Sequence, residues 1–293
     1  MRYAFFPGCV SRGACRELYK STMKVSERLE LELVELTEAA CTGAHVLHET
    51  DPDLADAVNT RTFAMAERLQ LPLMNICSTC QGVMSQVDAR VTSKPESLEK
   101  INAVLAEEGL HYSGNLTIKN LMWILVEDIG LERIKSLVKR PLTGLRMAPF
   151  YGCYILRPSQ VLGFKDHPER ATYLEQIISA LGAEPVDYYG KTKCCGFPIL
   201  TMNRDNSLSM AGDHLLEARD KGADCMVTPC PLCHLNLDAN QFDAAKVKDT
   251  AIGLPVLHLP QLLGLAFGFT PRELGLQRHV VSAKRVAQKV LAV

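Results

Sequence analysis

Eleven cysteines stand at positions 9, 15, 41, 77, 80, 153, 194, 195, 225, 230 and 233. Nine of them form a pattern. Cys77 and Cys80 make a C-x-x-C pair, preceded far upstream by Cys9 and Cys41. Cys230 and Cys233 make a second pair, preceded by Cys153 and the adjacent Cys194 and Cys195. A C-x-x-C pair brings two thiolates within reach of one metal centre, an arrangement used by both zinc sites and iron–sulfur clusters. The step from Cys41 to Cys77 is 36 residues, and so is the step from Cys194 to Cys230. The flanking residues match as well. Tyr3 to Cys9 aligns with Met147 to Cys153, Cys41-Thr42-Gly43 with Cys194-Cys195-Gly196, and Asn75 to Cys80 with Thr228 to Cys233. Three matched blocks in one order indicate an internal duplication.

Ligand count favours iron–sulfur over zinc. The second half offers five thiols, Cys153, Cys194, Cys195, Cys230 and Cys233, where four complete a zinc site or an ordinary cluster. The fifth points to a larger or irregular centre, because adjacent cysteines reach different irons of one cluster more readily than one small ion. The first half offers four, Cys9, Cys41, Cys77 and Cys80, with Thr42 standing where Cys195 stands in the repeat. Gly43 and Gly196 permit a tight turn beside inorganic sulfur.

The elements that must position these blocks follow an alternating rhythm. In the first half, apolar strands near 3–6, 32–36, 73–76 and 116–118 alternate with helical stretches near 14–30, 53–69, from Ser78, and 121–129. In the second half, strands near 147–150, 184–188, 225–228 and 256–259 alternate with helices near 168–181, 207–221, from Leu232, and 261–267. Such alternation predicts an α/β fold of two pseudo-symmetric domains, each a mainly parallel sheet flanked by helices. The loops at the carboxyl ends of parallel strands collect functional groups. The cysteine blocks sit in those loops, so three distant segments can converge on one site. A boundary near Lys139–Gly144 divides the chain into 1–143 and 144–293.

The bulk composition narrows the classes. A formal charge of −1 over 293 residues shows none of the basic excess of a nucleic-acid binder. The first apolar run, Tyr3–Phe6, is shorter than a signal-peptide core, and no run is long enough to span a membrane. An odd cysteine count without a secretion signal argues against a disulfide framework and for a reducing, cytoplasmic setting. There is no G-x-G-x-x-G and no P-loop, so flavin or nicotinamide chemistry would come from a partner.

The blocks resemble the cysteine-rich CCG family, whose pattern is one upstream Cys, then Cys-Cys-Gly, then Cys-x-x-Cys. Two tandem copies from Phe6 to about Phe267, with no ferredoxin motif attached, resemble the B subunit of heterodisulfide reductase. The resemblance implies part of an oxidoreductase that acts on sulfur groups, with Cys194 and Cys195 as catalytic candidates. It implies a non-cubane 4Fe–4S cluster on Cys153, Cys194, Cys195, Cys230 and Cys233. The CTG variant at Thr42 departs from the pattern, so Cys9, Cys41, Cys77 and Cys80 are expected to hold an ordinary 4Fe–4S or 2Fe–2S cluster. The implied partners are a ferredoxin-like C subunit and a flavin-binding A subunit. The departure points to the heterodisulfide-reductase-like branch of sulfur-oxidising prokaryotes, in which a lipoyl-binding carrier brings the sulfur. The alternatives are an electron-relay component of a 2-hydroxy-acid or glycerol-phosphate dehydrogenase, which usually carries a ferredoxin segment that this chain lacks, and a zinc-stabilised interaction scaffold.

The remaining residues have plainer readings. Cys15 and Cys225 are expected to be structural, Cys225 as a core thiol. His45 and His48 follow the CTG block and are candidates to line the site or replace the missing ligand. His234 follows Cys233 and is a candidate to touch a cluster sulfur or deliver a proton, or simply to begin a helix. Trp123 reads as core. The stretch Arg272–Lys289 is expected to be an amphipathic helix with a basic face, solvated or docked on a partner.

Overall fold

The structure, a computed structural model, describes residues 1–44 and 46–291. Two four-stranded sheets organise the chain. The first contains β1 (Arg2–Phe6), β2 (Glu32–Glu35), β3 (Leu73–Asn75) and β4 (Ile118–Asn120) in the order β2-β1-β3-β4. The second contains β5 (Arg146–Pro149), β6 (Glu184–Pro185), β7 (Cys225–Thr228) and β8 (Val256–His258) in the order β6-β5-β7-β8. Every pairing is parallel, so the duplication in sequence is a duplication in topology. Parallel strands covered on both faces carry continuous apolar runs. Tyr3-Ala4-Phe5-Phe6 is such a run, and all four side chains are buried.

Helices return the chain between strands, and their starts are written locally. Asp51 precedes Pro52 and accepts the Leu54 N–H at 3.0 Å, opening the helix Pro52–Arg68. Asn203 accepts the Asn206 N–H at 3.1 Å and opens its counterpart Arg204–Asp220. Three expectations are corrected. The helix expected over 168–181 begins as a 3-10 turn, Pro168–Thr172, and becomes α-helical only at Tyr173–Ala180. Strand β6 is two residues long, because Pro185 donates no ladder hydrogen bond. The stretch Arg272–Lys289 is not one helix. Gly275 turns the chain with φ 73°, and the Asp238 carboxylate accepts the N–H groups of Val280 and Val281 at 2.8 and 3.1 Å. The helix therefore starts only at Lys284 and runs to Leu291.

Strand alternation builds two cores, each drawing on both sheets. Tyr3, Phe5, Met74, Met147, Cys225 and Val227 face one, while Ala4, Phe6, Leu73, Ala148 and Met226 face the other. The halves interlock reciprocally. Helix Arg16–Arg28 packs on Leu259–Ala266, and the matching pair is Tyr173–Ala180 on the helical stretch Leu121–Ile129. Trp123 seals the second contact. It is fully buried, with the Arg170 guanidinium 3.9 Å from its ring centroid and in turn paired to Glu127 at 2.7 Å. At about 1.5–3 kcal/mol per buried large apolar side chain, cores shared in this way bind the halves into one body.

Candidate metal centre

The cysteine blocks lie just beyond the carboxyl ends of β1, β3, β5 and β7, and in the loops after β2 and β6. The C-x-x-C segments are held alike in both halves. Asn75 Oδ1 accepts the Cys77 N–H at 3.3 Å, and Thr228 Oγ1 accepts the Cys230 N–H at 3.3 Å. Cys77 and Cys230 then occupy the positions that open the helices Ser78–Thr92 and Pro231–His234. The Cys77 sulfur accepts the Cys80 N–H at 3.4 Å. The central blocks also match: the Gly43 N–H points at Cys41 Sγ and the Gly196 N–H at Cys194 Sγ, each at 3.4 Å.

All nine pattern cysteines converge. In the first half Cys9 Sγ lies 3.4 Å from Cys41 Sγ and within electrostatic reach of Cys80, which hydrogen-bonds with Cys77. In the second half Cys153, Cys194, Cys195, Cys233 and Cys230 follow one another closely enough for each thiol to shift its neighbour's charge. Thr42 Oγ1 sits 3.6 Å from Cys80 Sγ, as Cys195 sits against Cys233, so the threonine occupies the fifth thiol's place. A link absent from sequence reasoning joins the halves. Thr79 Oγ1 lies 3.5 Å from Cys230 Sγ, the Ser78 N–H donates to Pro229 O at 3.3 Å, and Cys77 and Cys230 stand close enough to shift each other's charge.

Three thiols of this array, Cys41, Cys194 and Cys230, are shifted toward the thiolate. The Cys41 thiol is lowered to about 6, chiefly by the hydrogen bond from Cys9 and also by the Gly43 N–H, while the proton of the pair stays on Cys9. Cys194 is held far below the usual thiol range by hydrogen bonds from Cys153 and Cys195. Burial pushes Cys230 up, but hydrogen bonds from Cys233, Cys77 and Thr79 outweigh it and hold it low. Thiolates are the form that binds metal. Cys41 and Cys194, equivalent in the repeat, carry equivalent charge.

The surrounding residues hold the sulfur loops rigid. Asn236 Nδ2 donates to Cys195 O at 2.7 Å and to Ser207 Oγ at 3.1 Å, and Ser207 Oγ donates to Gly196 O at 2.8 Å. The His214 ring meets Cys194 O at 2.9 Å, and in the first half Asn59 Nδ2 donates to Thr42 O at 3.1 Å. None of these carries a motif signal, because each lies in a helix remote in sequence. Gly152 has φ +71°, and a Cβ there would fall 2.8 Å from Cys233 Sγ, so the backbone forms a cradle only glycine permits. Soft thiolates in two adjoining groups, with no carboxylate in the array, are a donor set that fits iron–sulfur clusters.

A cavity of about 190 Å³ opens beside the second-half sulfurs, lined by Cys153, Cys195 and Cys230 together with Tyr154, Phe197 and Leu200. Among the described residues no charged side chain lines it, and its walls are mainly apolar. Gly82 of the first half lets the Cys153–Tyr154 segment pack close, since a Cβ there would stand 2.5 Å from Tyr154 O.

The remaining candidates fall elsewhere. The hydrogen bonds of His234 go to Val256 O at 3.1 Å and His279 Nδ1 at 3.2 Å, and none goes to a cysteine sulfur. His48 lies on the short helix Val46–Thr50, and His45 falls outside the described residues. Cys225 and Cys15 are buried in the core, as is Trp123. Among the described residues no helix is long and apolar enough to cross a membrane.

Comparison with known proteins agrees with this geometry. Residues 3–85 and 147–238 match the family described as "CCG: Cysteine-rich domain". The chain is 37% identical, over 97% of its length and 98% of the relative's, to the 8-methylmenaquinol:fumarate reductase membrane anchor subunit of Wolinella succinogenes. It is 31% identical to the B subunit of the ferredoxin/F(420)H(2)-dependent CoB-CoM heterodisulfide reductase of Methanosarcina acetivorans, over 96% of this chain and 94% of that one. A crystal structure of a hypothetical protein from Helicobacter pylori shares the fold, with a TM-score of 0.78 at 17% identity; the match covers 96% of this chain and 52% of that one. Matched sulfur loops, duplicated sheets and these relatives place the chain in the cysteine-rich CCG domain family, alongside proteins named as the B subunit of heterodisulfide reductase.

Proposed function

We propose that this chain is an iron–sulfur subunit of a larger oxidoreductase complex, with thiol–disulfide or related sulfur chemistry beside its second-half cysteines. The observation that carries this reading is the unequal but connected array: five thiols, of which Cys153, Cys195, Cys230 and Cys233 line a cavity, four thiols behind them, and Cys77 close to Cys230 between. Cys153, Cys194, Cys195, Cys230 and Cys233 would hold a non-cubane 4Fe–4S cluster, and Cys9, Cys41, Cys77 and Cys80 an ordinary 4Fe–4S or 2Fe–2S cluster. Bound clusters of this kind supply one-electron transfer and an iron that stabilises a thiolate. The chain's own residues do the rest. Phe197 and Leu200 exclude water from the cavity, the Phe197 N–H meets Cys195 Sγ at 3.5 Å, and Thr79 Oγ1 meets Cys230 Sγ; such hydrogen bonds tune potential.

In this reading the domains divide near residue 143, and a ferredoxin-like C subunit and a flavin-binding A subunit deliver or remove electrons in the cytoplasm. The sulfur-oxidising direction, with sulfur carried on a lipoyl-binding protein, is its most specific form. A second reading is favoured by the uncharged, mainly apolar cavity and by the relative named for 8-methylmenaquinol:fumarate reductase. Here the same array relays electrons to or from an apolar carrier. The test is anaerobic purification followed by iron and acid-labile sulfide analysis, then redox titration with a low-molecular-weight disulfide and with a menaquinol analogue. Iron with matching sulfide, oxidised by the disulfide, supports the first reading, and exchange with the quinol alone supports the second. Zinc at two equivalents without iron would overturn both.

A further inference from the structure

A second group of metal-type ligands lies apart from the nine-cysteine array. Cys15 and Glu17 stand at the start of the helix Arg16–Arg28 in the first half. His234 ends the helix Pro231–His234 and His258 ends β8 in the second. One ligand atom from each of the four lies within 4.8 Å of the others, and all four side chains are buried, none more than 4% exposed.

Without a ligand the arrangement is costly. The His234 and His258 rings stack with centroids 3.8 Å apart, and His234 Nδ1 and both ring nitrogens of His258 are buried with no hydrogen-bond partner. His258 Nε2 only faces Glu17 Oε1, at 3.4 Å. A buried polar atom left without a partner is destabilising.

The outer contacts of His234 and Glu17 are those of oriented ligands. His234 directs Nε2 to Val256 O and to His279, which leaves Nδ1 as a bare lone pair. His279 is fixed in turn by Gln261 Oε1 at 3.0 Å, and the other oxygen of Glu17 receives Arg278 at 2.9 Å. A metal-binding histidine ordinarily gives its second ring nitrogen to a backbone carbonyl in this way.

We propose that Cys15, Glu17, His234 and His258 form a closed site for one divalent cation, Zn2+, which staples the first half to the second. Four ligands of mixed N, O and S type, with no open position, suit structural zinc. A dication with one thiolate and one carboxylate is neutral, as burial demands. Bonds of about 2.0–2.3 Å require the donors to close by up to about 1 Å. His234 directly follows Cys233, so the ion anchors the end of the helical turn bearing the second C-x-x-C.

The proposal does not depend on the iron–sulfur reading, and its test separates the two. Iron-replete protein, purified anaerobically, is exposed to Zn2+ and dialysed, its metals are counted, and a zinc K-edge spectrum is recorded. The expected result is one zinc per chain beyond the iron, in a shell with two imidazoles, one oxygen and one sulfur. Glu17→Gln and His258→Gln should each weaken zinc binding by more than the roughly 10–100-fold typical of losing an outer-shell partner, with iron unchanged. Zinc that dialyses away, zinc in a shell of sulfur alone, or variants that hold zinc like the parent would overturn the proposal. If the variants fail to fold, the parent's zinc shell decides.

Discussion

Replacing either cradle glycine with alanine separates backbone strain from damage to the metal centre. Gly8 and Gly152 are equivalent in the repeat, with φ +78° and +71°. Alanine at either site should cost about 1–3 kcal/mol in backbone strain. The two differ in what the new methyl meets. At Gly8 it stands 3.8 Å from Cys80 Sγ, an ordinary contact, whereas at Gly152 it stands 2.8 Å from Cys233 Sγ, closer than real Cβ atoms approach. Relief requires Cys233 to move by roughly 1 Å, several times the ±0.2 Å tolerance of a metal–ligand bond. Both variants would be purified anaerobically, with iron and sulfide counted and stability measured by urea denaturation. Gly8→Ala should keep its iron and lose only the strain energy. Gly152→Ala should lose the iron held by the second half. Equal iron in the two variants would refute the reasoning, because the cradle would then not touch a ligand.

Three further perturbations address the asymmetry and the interlock. Thr42→Cys places a thiol against Cys80 where the repeat has Cys195 against Cys233, and it should raise iron per chain or change the first-half EPR signal; an unchanged spectrum and iron content would remove Thr42 from the site. Burial pushes the Glu127 carboxyl up, yet Arg170 and Lys119 outweigh burial and hold it below its ordinary 4.5. Its folded-state value is therefore depressed, so the stability it contributes is complete above about pH 4.5 and is lost as pH falls through the folded value. Glu127→Gln should flatten the acid limb of the urea midpoint, and an unaltered limb would contradict this. Arg170→Ala leaves Glu127 paired with Lys119 alone and should lower the stability read from the urea midpoint by about 1.5–3 kcal/mol.

The strands and both sulfur sets are legible in the sequence because local rules govern them: apolar runs and cysteines at strand ends. The equal 36-residue steps report equal βα geometry. What escapes the sequence is long-range. The Cys77–Cys230 contact depends on how two halves of similar shape interlock, and no periodicity records that. Asn236, Ser207 and His214 act on the backbone of Cys194–Gly196 from helices far along the chain. The basic stretch 272–289 looks continuous because its charges are spaced as on a helix, but Asp238 claims the N–H groups of Val280 and Val281 that helix would need. Adjacency alone ties His234 to the sulfurs in the sequence. One residue further along the helix from Cys233 turns its ring into the histidine cluster instead.

The central claim is that two thiolate sites meet across the pseudo-symmetric interface at Cys77 and Cys230. Frozen-solution EPR of protein poised so that both clusters are paramagnetic tests it most directly. Sites in contact should give a spin-coupled spectrum that differs from the sum of the two clusters recorded separately, and Cys230→Ala should abolish the splitting. A spectrum that is the simple sum of two isolated clusters, or that shows a single cluster, would contradict the claim.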